Sequence, residues 1–431
     1  MNQLVKDKLS NIAYVQLCNV DKKTIKDEIP IQLCNYMDVY RNSYIDKYNS
    51  QQFMYATCSE SEYEKFVLKS GQVAITKDSE KANDIGIPAY VDDDLDNVVL
   101  GYHLSLITPN KDKLDGKFLR YWLETRQAKK YFENNAMGSG QRLFLTLNSI
   151  KDTPLFLPTL NMQKNISSIL FNIDKKIELN NKINKELEAM AKTLYDYWFV
   201  QFDFPDSNGK PYKSSGGKMV YNKEIKREIP DGWECLELED IITHSGTGLN
   251  PRQNFKLGFG NNYYVTIKNI EQGRIKLDDK CDRIDNEALE IINKRSDLKA
   301  GDILFTSIQP VGITYLIQEK PKNWNINESV FVIRPNYKMI SSEYLFMLLS
   351  SDEMKAFTTN VSAGSIHKGI RHTVLKTFKF PYKNEIIIER FSKILNPILK
   401  KLYINEQQNQ KLSTLRDWLL PMLMNGQVKI K

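Results

Sequence analysis

The chain has little of what usually marks a catalytic or exported protein. Its five cysteines (Cys18, Cys34, Cys58, Cys235, Cys281) are odd in number, widely scattered and never spaced C-x-x-C. That argues against a disulfide framework or a zinc site and favours buried or idle thiols. The four histidines show no metal spacing; His367 and His372 stand five apart in a basic loop, not on one helix face. No apolar run approaches the ~18–20 residues that span a bilayer. The opening MNQLVKDKLS lacks the apolar core of a signal peptide. A cytoplasmic chain is therefore expected. No G-x-x-x-x-G-K-[ST] occurs, and no G-x-G-x-x-G follows a strand and opens a helix. Ser245-Gly-Thr-Gly248 reads as a turn. Asp278-Asp279-Lys280 has the look of a nuclease triplet but no Pro-Asp lies at a sensible distance upstream. Neither Asn-Pro-Pro-Tyr nor Asp-Pro-Pro-Tyr is present, which argues against an amino-methyltransferase. These gaps point to a binding scaffold.

What is present is a doubled plan in a chain of 431 residues, long enough for two or three domains. Hydrophobic content of 41% and charged content of 26% fit a globular protein. A net charge of +7 suits nucleic acid without establishing it. Residues 173–198, IDKKIELNNKINKELEAMAKTLYDYW, form a long amphipathic helix free of Gly and Pro. Its pattern returns at residues 398–422. The first segment, to about residue 160, shows strands at 29–33 and 72–76, a longer strand over 98–107, and a helix over 116–134. Residues 233–384 repeat this order. Val265 onward matches Ile31 onward at an offset of 234, Leu298–Thr306 matches Leu68–Thr76 at 230, and Tyr344–Leu349 matches Phe118–Leu123 at 226. Gly364-Ser365 matches Gly138-Ser139 at 226, and Phe378–Pro381 matches Leu155–Pro158 at 223. A falling offset is what small loop deletions leave in a duplication.

The helices match best. Positions seven apart hold Ile173, Asn180, Leu187 and Leu194, and 225 residues later Ile398, Asn405, Leu412 and Leu419. The companion row is read as Lys176, Ile183, Met190 and Tyr197, against Lys401, Gln408, Leu415 and Met422. This is a heptad seam whose shared Asn sets register at a cost in stability. Asn396-Pro397 reads as the N-cap and first position of the second helix. Residues 166–171 and 391–395 then read as separate short helices, with Pro421 as the stop. Two such helices, each ~39 Å long at ~1.5 Å per residue, can pack antiparallel. The alternative is that each packs only on its own domain; the shared Asn and the heptads favour the pair. Residues 201–217, rich in turn formers, read as a linker or surface loop.

Candidate binding residues sit at matching loops. Lys77 and Asp78 follow the strand ending at Thr76; Ser307, Ile308 and Gln309 follow the one ending at Thr306. The Gly-containing loops carry Gln141 and Arg142 in the first half, and His367, Lys368 and Arg371 in the second. Arg252 and Lys268 are added from further second-half loops. Such side chains contact phosphates and base edges, although any single one can equally be a solvated loop residue. Phe118, Tyr121, Trp122, Tyr344 and Phe346 fall at helical spacing and read as core.

Further short stretches complete the picture. They are Tyr195-Asp-Tyr-Trp-Phe-Val-Gln-Phe-Asp-Phe-Pro205, Ser214-Ser-Gly-Gly217, Glu228-Ile-Pro-Asp-Gly-Trp233, Leu415-Arg-Asp-Trp-Leu-Leu-Pro-Met-Leu423 and Gly426-Gln427. Pro158 followed by Gln163 and Ile166 adds to them. In this order, with the duplication, the chain resembles the specificity subunit of Type I restriction–modification systems over nearly its whole length. The resemblance implies a mixed α/β (α+β) chain of two target-recognition domains (1–160 and 233–384). Helical spacer regions at 161–200 and 385–431 would form an antiparallel coiled coil, with a linker at 201–232. It implies that each domain reads one half of a bipartite DNA site while the paired helices set the spacing and dock two methyltransferase subunits, with restriction subunits in the full complex. S-adenosylmethionine would bind the methyltransferase partner, and ATP and Mg the restriction partner; neither cofactor is expected on this chain. One departure stands out: the first half lacks a counterpart of Pro230-Asp-Gly-Trp233, so an atypical N-terminal edge is expected. An orphan subunit of a methylation-only system is the alternative reading. A nuclease or fused modification enzyme, and a coiled-coil scaffold without DNA, remain as smaller ones.

Overall fold

The computed structural model describes residues 4–139, 142–271, 273–362 and 369–428. The chain divides into two compact units, Met1–Leu179 with Gln408–Lys431, and Asn180–Gln407. Both mix strands and helices.

In the first unit, a five-stranded sheet runs in the order Ala13–Leu17, Leu104–Pro109, Val73–Thr76, Pro88–Val91, Tyr44–Ile45. A four-stranded sheet runs Met54–Cys58, Ile29–Cys34, Leu95–Leu100, Val67–Leu68. Val73–Thr76 is buried along its whole length, as its unbroken apolar run demands of a central strand. The expected long strand over 98–107 is two strands, Leu95–Leu100 and Leu104–Pro109, one in each sheet. Between them, Gly101 donates its N–H to the Cys34 carbonyl, and Tyr102 and His103 make the turn. The expected helix over 116–134 is also two, Gly116–Leu123 and Arg126–Asn135. Thr125 adopts an extended backbone, and its hydroxyl accepts the Ala128 N–H at 3.3 Å, starting a new helix.

The second unit repeats the plan with fewer strands in its two sheets among the described residues. Ile242–Thr247, Val330–Pro335, Ile303–Thr306 and Thr314–Leu316 form one sheet; Asp282–Ile284, Asn262–Val265 and Trp324–Ile326 form another. The hydrogen bonding sharpens the repeat. Asn327 donates to the Val265 carbonyl as Gly101 donates to that of Cys34, so Val265 corresponds to Cys34, three residues beyond the expected Ile31. Leu238 donates to the Phe378 carbonyl as Leu9 donates to that of Thr153, which shifts the last matching block by two. Lys379–Tyr382 thus corresponds to Pro154–Leu157. Val5–Lys8 pairs antiparallel with Pro154–Leu157 just as Glu234–Glu237 pairs with Lys379–Tyr382, so the first unit does have the edge strand. Ser245-Gly-Thr247 lies within a strand, not a turn. Gly248 follows because a Cβ there would meet the Ile326 carbonyl oxygen at 1.8 Å.

The long helices are longer than expected. They span Leu160–Tyr195 and Glu385–Met424, 36 and 40 residues, or ~54 and ~60 Å at ~1.5 Å per residue. Residues 166–171 and 391–395 belong to them rather than forming separate short helices. Pro397 and Pro421 both lie inside the second helix, on its exposed side. Water can serve the carbonyl each proline strands, while burial of Phe391, Leu395 and Leu399, and of Leu423 and Met424, carries the helix through.

Within the second unit, residues 180–195 run antiparallel to residues 391–407. Asn184 meets Asn405, while Tyr195 and Trp198 meet Phe391. The row containing Asn180, Leu187 and Leu194 faces inward, with Asn180 and Asn405 almost fully buried. The companion row is misplaced by one residue. Lys176, Met190, Tyr197, Lys401, Gln408 and Leu415 are exposed, whereas Asn184, Ala191 and Trp198 are buried. The second row therefore lies four residues after the first rather than three.

Residues 201–217 are not a free linker. Phe202 and Phe204 are buried against Trp233, with ring centroids 5.4 and 5.3 Å from it. Asp203 accepts the Ser214 N–H at 2.7 Å and its hydroxyl at 2.6 Å. Beyond this turn, Met219–Asn222 and Arg227–Pro230 form a hairpin.

Candidate nucleic-acid interface

The two units place equivalent loops with equivalent hydrogen bonds. Thr76 and Thr306 end the central strands and are fully buried. The Thr76 hydroxyl accepts the Ile87 N–H at 3.0 Å, and the Thr306 hydroxyl accepts that of Ile313 at 2.9 Å. The Thr76 carbonyl accepts the Gly86 N–H, the Thr306 carbonyl that of Gly312. Each threonine pins both ends of a loop that leaves the sheet.

In the first unit that loop begins at Lys77. Its Nζ donates to the Cys18 carbonyl at 3.0 Å and sits 4.6 Å from the centre of the Tyr102 ring. Burial pulls its ammonium below the ordinary lysine range; Asp78 opposes that shift and the like charge of Arg142 adds to it. Asp78 in turn holds His103 Nδ1 at 2.6 Å. Arg142 is exposed on a small sheet in which Arg142–Phe144 pairs with both Met137–Ser139 and Asp78–Ser79. The Leu145 N–H donates to the Lys77 carbonyl, closing the cluster. Gln141 lies outside the described residues.

The second unit has the same frame and different side chains. Ser307 takes the place of Lys77, and its carbonyl accepts the Ile370 N–H. It is 6% exposed, and its hydroxyl donates to the Ser329 carbonyl at 2.8 Å. It therefore shapes the loop and offers no free donor outward. Gln309 is exposed beside it. Arg371 stands where the first unit has Thr146, at the N-cap of His372–Lys376. Thr146 caps its helix through Ser149, whereas the exposed Arg371 makes no side-chain cap bond and projects its guanidinium from the frame. His372 packs edge-on against Phe331 at 5.1 Å; burial pushes its imidazole below the ordinary range. His367 and Lys368 lie outside the described residues.

Two candidates belong elsewhere on the second unit. Arg252 is exposed in the loop that follows the strand Ile242–Thr247. Lys268 is exposed in the short turn Ile267–Asn269, which leads into the hairpin whose Arg274 reaches Glu406 at 2.9 Å. Phe118, Tyr121, Trp122 and Tyr344 are core, as expected, and Phe346 is partly buried. Tyr102 and His103 are new to the site: the apolar run over 98–107 carries no sign of the turn they make beside Lys77. The assembled groups are donors on rigid stems, suited to phosphate oxygens and to the acceptor-rich edges of bases.

The family model for the Type I restriction modification DNA specificity domain matches residues 11–189 and again residues 230–414. The chain belongs to that family. It is 24% identical over 390 residues to the Type I restriction enzyme HindI specificity subunit of Haemophilus influenzae, covering 79% of this chain and 83% of that one. It is likewise 24% identical over 344 residues to the MjaIX specificity subunit of Methanocaldococcus jannaschii, covering 74% and 71%. The crystal structure of the S subunit of the Type I restriction–modification system from M. genitalium has the same fold, with a TM-score of 0.61 at 14% identity, over 97% of this chain and 96% of that one. The chain is thus a Type I specificity subunit with two target-recognition domains, the non-catalytic DNA-recognition component of such a system. Its relatives are subunits of restriction enzymes, so the methylation-only alternative is not favoured. Among the described residues no helix is long and apolar enough to cross a membrane.

Proposed function

We propose that the loops pinned by Thr76 and Thr306 are the base-reading loops, one for each half of a bipartite duplex site. The observation that carries this reading is the repeated frame with unlike side chains. Thr76 and Thr306 make the same bonds, yet one frame carries Lys77 and Arg142 and the other carries Gln309 and Arg371. A shared frame presents a reader in the same way, and differing donors select different bases. Gln141, His367, Lys368, Arg252 and Lys268 join as candidate phosphate or base contacts.

The partners in this reading are double-stranded DNA, two methyltransferase subunits and, in the full enzyme, restriction subunits; the compartment is the cytoplasm. The long helices set the spacer and dock the methyltransferases. Leu415 and Trp418, 43% and 55% exposed on the second helix, support a docking face, because large apolar side chains left together in water mark contact surfaces.

The test is to express the chain with its methyltransferase subunit and sequence the methylated adenines. Two half-sites with a fixed spacer are expected, and no methylation without this chain. Methylation or cleavage by the purified chain alone would overturn the reading.

A further inference from the structure

The duplication exposes an unfilled place in the first unit. A cavity of about 620 Å³ opens there, floored by Leu4, Trp122, Phe156 and Met424, with the exposed Arg126 and Lys130 at its rim. In the second unit the crevice beside the equivalent Trp233, Phe199 and Pro381 leaves no room for a water molecule. The correspondence is residue by residue. Leu4 is replaced by Trp233, Met424 by Phe199, and Phe156 by Pro381. The second unit closes its site with its own chain: Phe202 and Phe204 lie buried against Trp233, and Trp233 against Phe199.

The charges at the two rims are opposite. Arg126 and Gln127 of the first unit correspond to Asp352 and Glu353 of the second, the same distance past the capping Thr125 and Ser351. Arg227, on the covering hairpin, meets Glu353, and Lys192, on the first long helix, meets Asp352 at 3.0 Å; the first unit has Asp417 where the second has Lys192. The first unit keeps the apolar floor, carries a basic rim, and has no covering segment among its described residues.

We propose that this cavity is a docking site for a segment of a partner protein that carries an aromatic anchor flanked by carboxylates. The floor supplies apolar burial, and Arg126 and Lys130 at the rim attract carboxylates. Charge complementarity commits the site to an acidic segment.

The probe is a fluorescein-labelled peptide, Gln-Phe-Asp-Phe-Pro-Asp, the sequence of residues 201–206, titrated against the full-length chain by fluorescence anisotropy. Saturable binding is expected. Arg126→Glu with Lys130→Glu should weaken it by about tenfold or more, and a peptide with both Asp changed to Lys should recover binding on that variant. Both rim residues are exposed, so the variant should melt with the wild type. Leu4→Trp, which copies Trp233, should fill the cavity and block the peptide while raising thermal stability. Equal binding to the wild type and the charge-reversed variant, or no saturable binding, would overturn the proposal. Displacement of the peptide by duplex DNA would instead assign the rim to phosphate. A self-association abolished by the charge reversal would assign it to a second copy. Either result would overturn the proposal too.

Discussion

Asn405 donates its side-chain N–H to the side-chain oxygen of Asn184 at 2.8 Å, with both residues essentially out of solvent. The bond joins the two long helices within the second unit. The remaining atoms of the pair, Asn184 Nδ2 and Asn405 Oδ1, have no hydrogen-bond partner among the described residues. A half-satisfied buried amide pair costs stability and resists sliding of one helix along the other, since a shifted register would bury both amides unpaired.

Replacing only Asn405 by Leu strands the Asn184 oxygen and should destabilise the second unit by ~1–3 kcal/mol. Replacing both asparagines by Leu should restore or exceed wild-type stability, since two matched apolar residues leave nothing unpaired. Urea melts of the two variants decide the matter. A double variant no better than the single one would show that the bond itself, not register, is what the pair contributes.

In the first unit the helices are joined by charge. Asp174 accepts from Arg120 at 3.1 Å, from the Tyr44 and Tyr121 hydroxyls at 2.7 Å each, and from Arg416 at 2.9 Å. Asp174→Ala leaves Arg120, itself 1% exposed, with Glu124 as its remaining carboxylate among the described residues. A loss of ~3–5 kcal/mol is expected, as for other broken buried pairs. Burial alone would raise this carboxyl, but Arg120 and the other donors hold it below the ordinary range. Its contribution is thus present above the unfolded pKa and fades as pH falls through the folded one. The wild type should therefore lose its advantage over Asp174→Asn in acid, and an advantage that does not change with pH would contradict this assignment.

Glu406 behaves in the opposite sense. Burial pushes its carboxyl up to about 7, against the pull of Arg274. The folded state then holds a proton that the unfolded chain has lost, so stability falls as pH rises from about 4.5 to about 7 and levels above that. Glu406→Gln removes the titration. Relative to the wild type, its melting temperature should climb across that window. Parallel melting curves for the two proteins from pH 5 to pH 8 would refute the assignment.

For the reading loops, Arg142→Ala and Arg371→Ala should act on different half-sites. Each should cost ~1–3 kcal/mol of discrimination at one half if the guanidinium contacts a base. A uniform loss with a shallower salt dependence would instead mark a phosphate contact. Methylation of site variants altered in one half at a time separates these outcomes. Ser307→Ala should change recognition only by loosening its loop, because its hydroxyl is already bonded to Ser329.

The doubled plan was legible because apolar runs such as Val73–Thr76 and Ile303–Thr306 carry their burial in their composition. The inward row of each helix was legible for the same reason. The companion row was not. The row three residues on holds Ile183 and Met190, which look like core, while the true row holds Asn184. A hydrophobic pattern cannot report a polar residue buried for a partner 221 positions away. Asp174 and Arg416 escaped for that reason as well. Phe202 and Phe204 were hidden by the turn formers around them, and the break at Thr125 by a helical run on either side of one capping hydroxyl. Of the reading loops, position was legible and role was not. Ser307 and Lys77 occupy one frame, yet only the fold shows that the serine turns inward.

Because Leu423 and Met424 are buried in the core of the first unit, that unit is assembled from segments on either side of the second. The ribosome therefore finishes the second unit first. Residues 180–407 form a continuous run that can close before residues 408–424 dock, whereas the half made earlier waits for that stretch of helix. A chain ended at residue 407 and released from the ribosome should resist protease in its later half and remain cleavable in its earlier half. The order of maturation along this polypeptide would then run opposite to its order of synthesis.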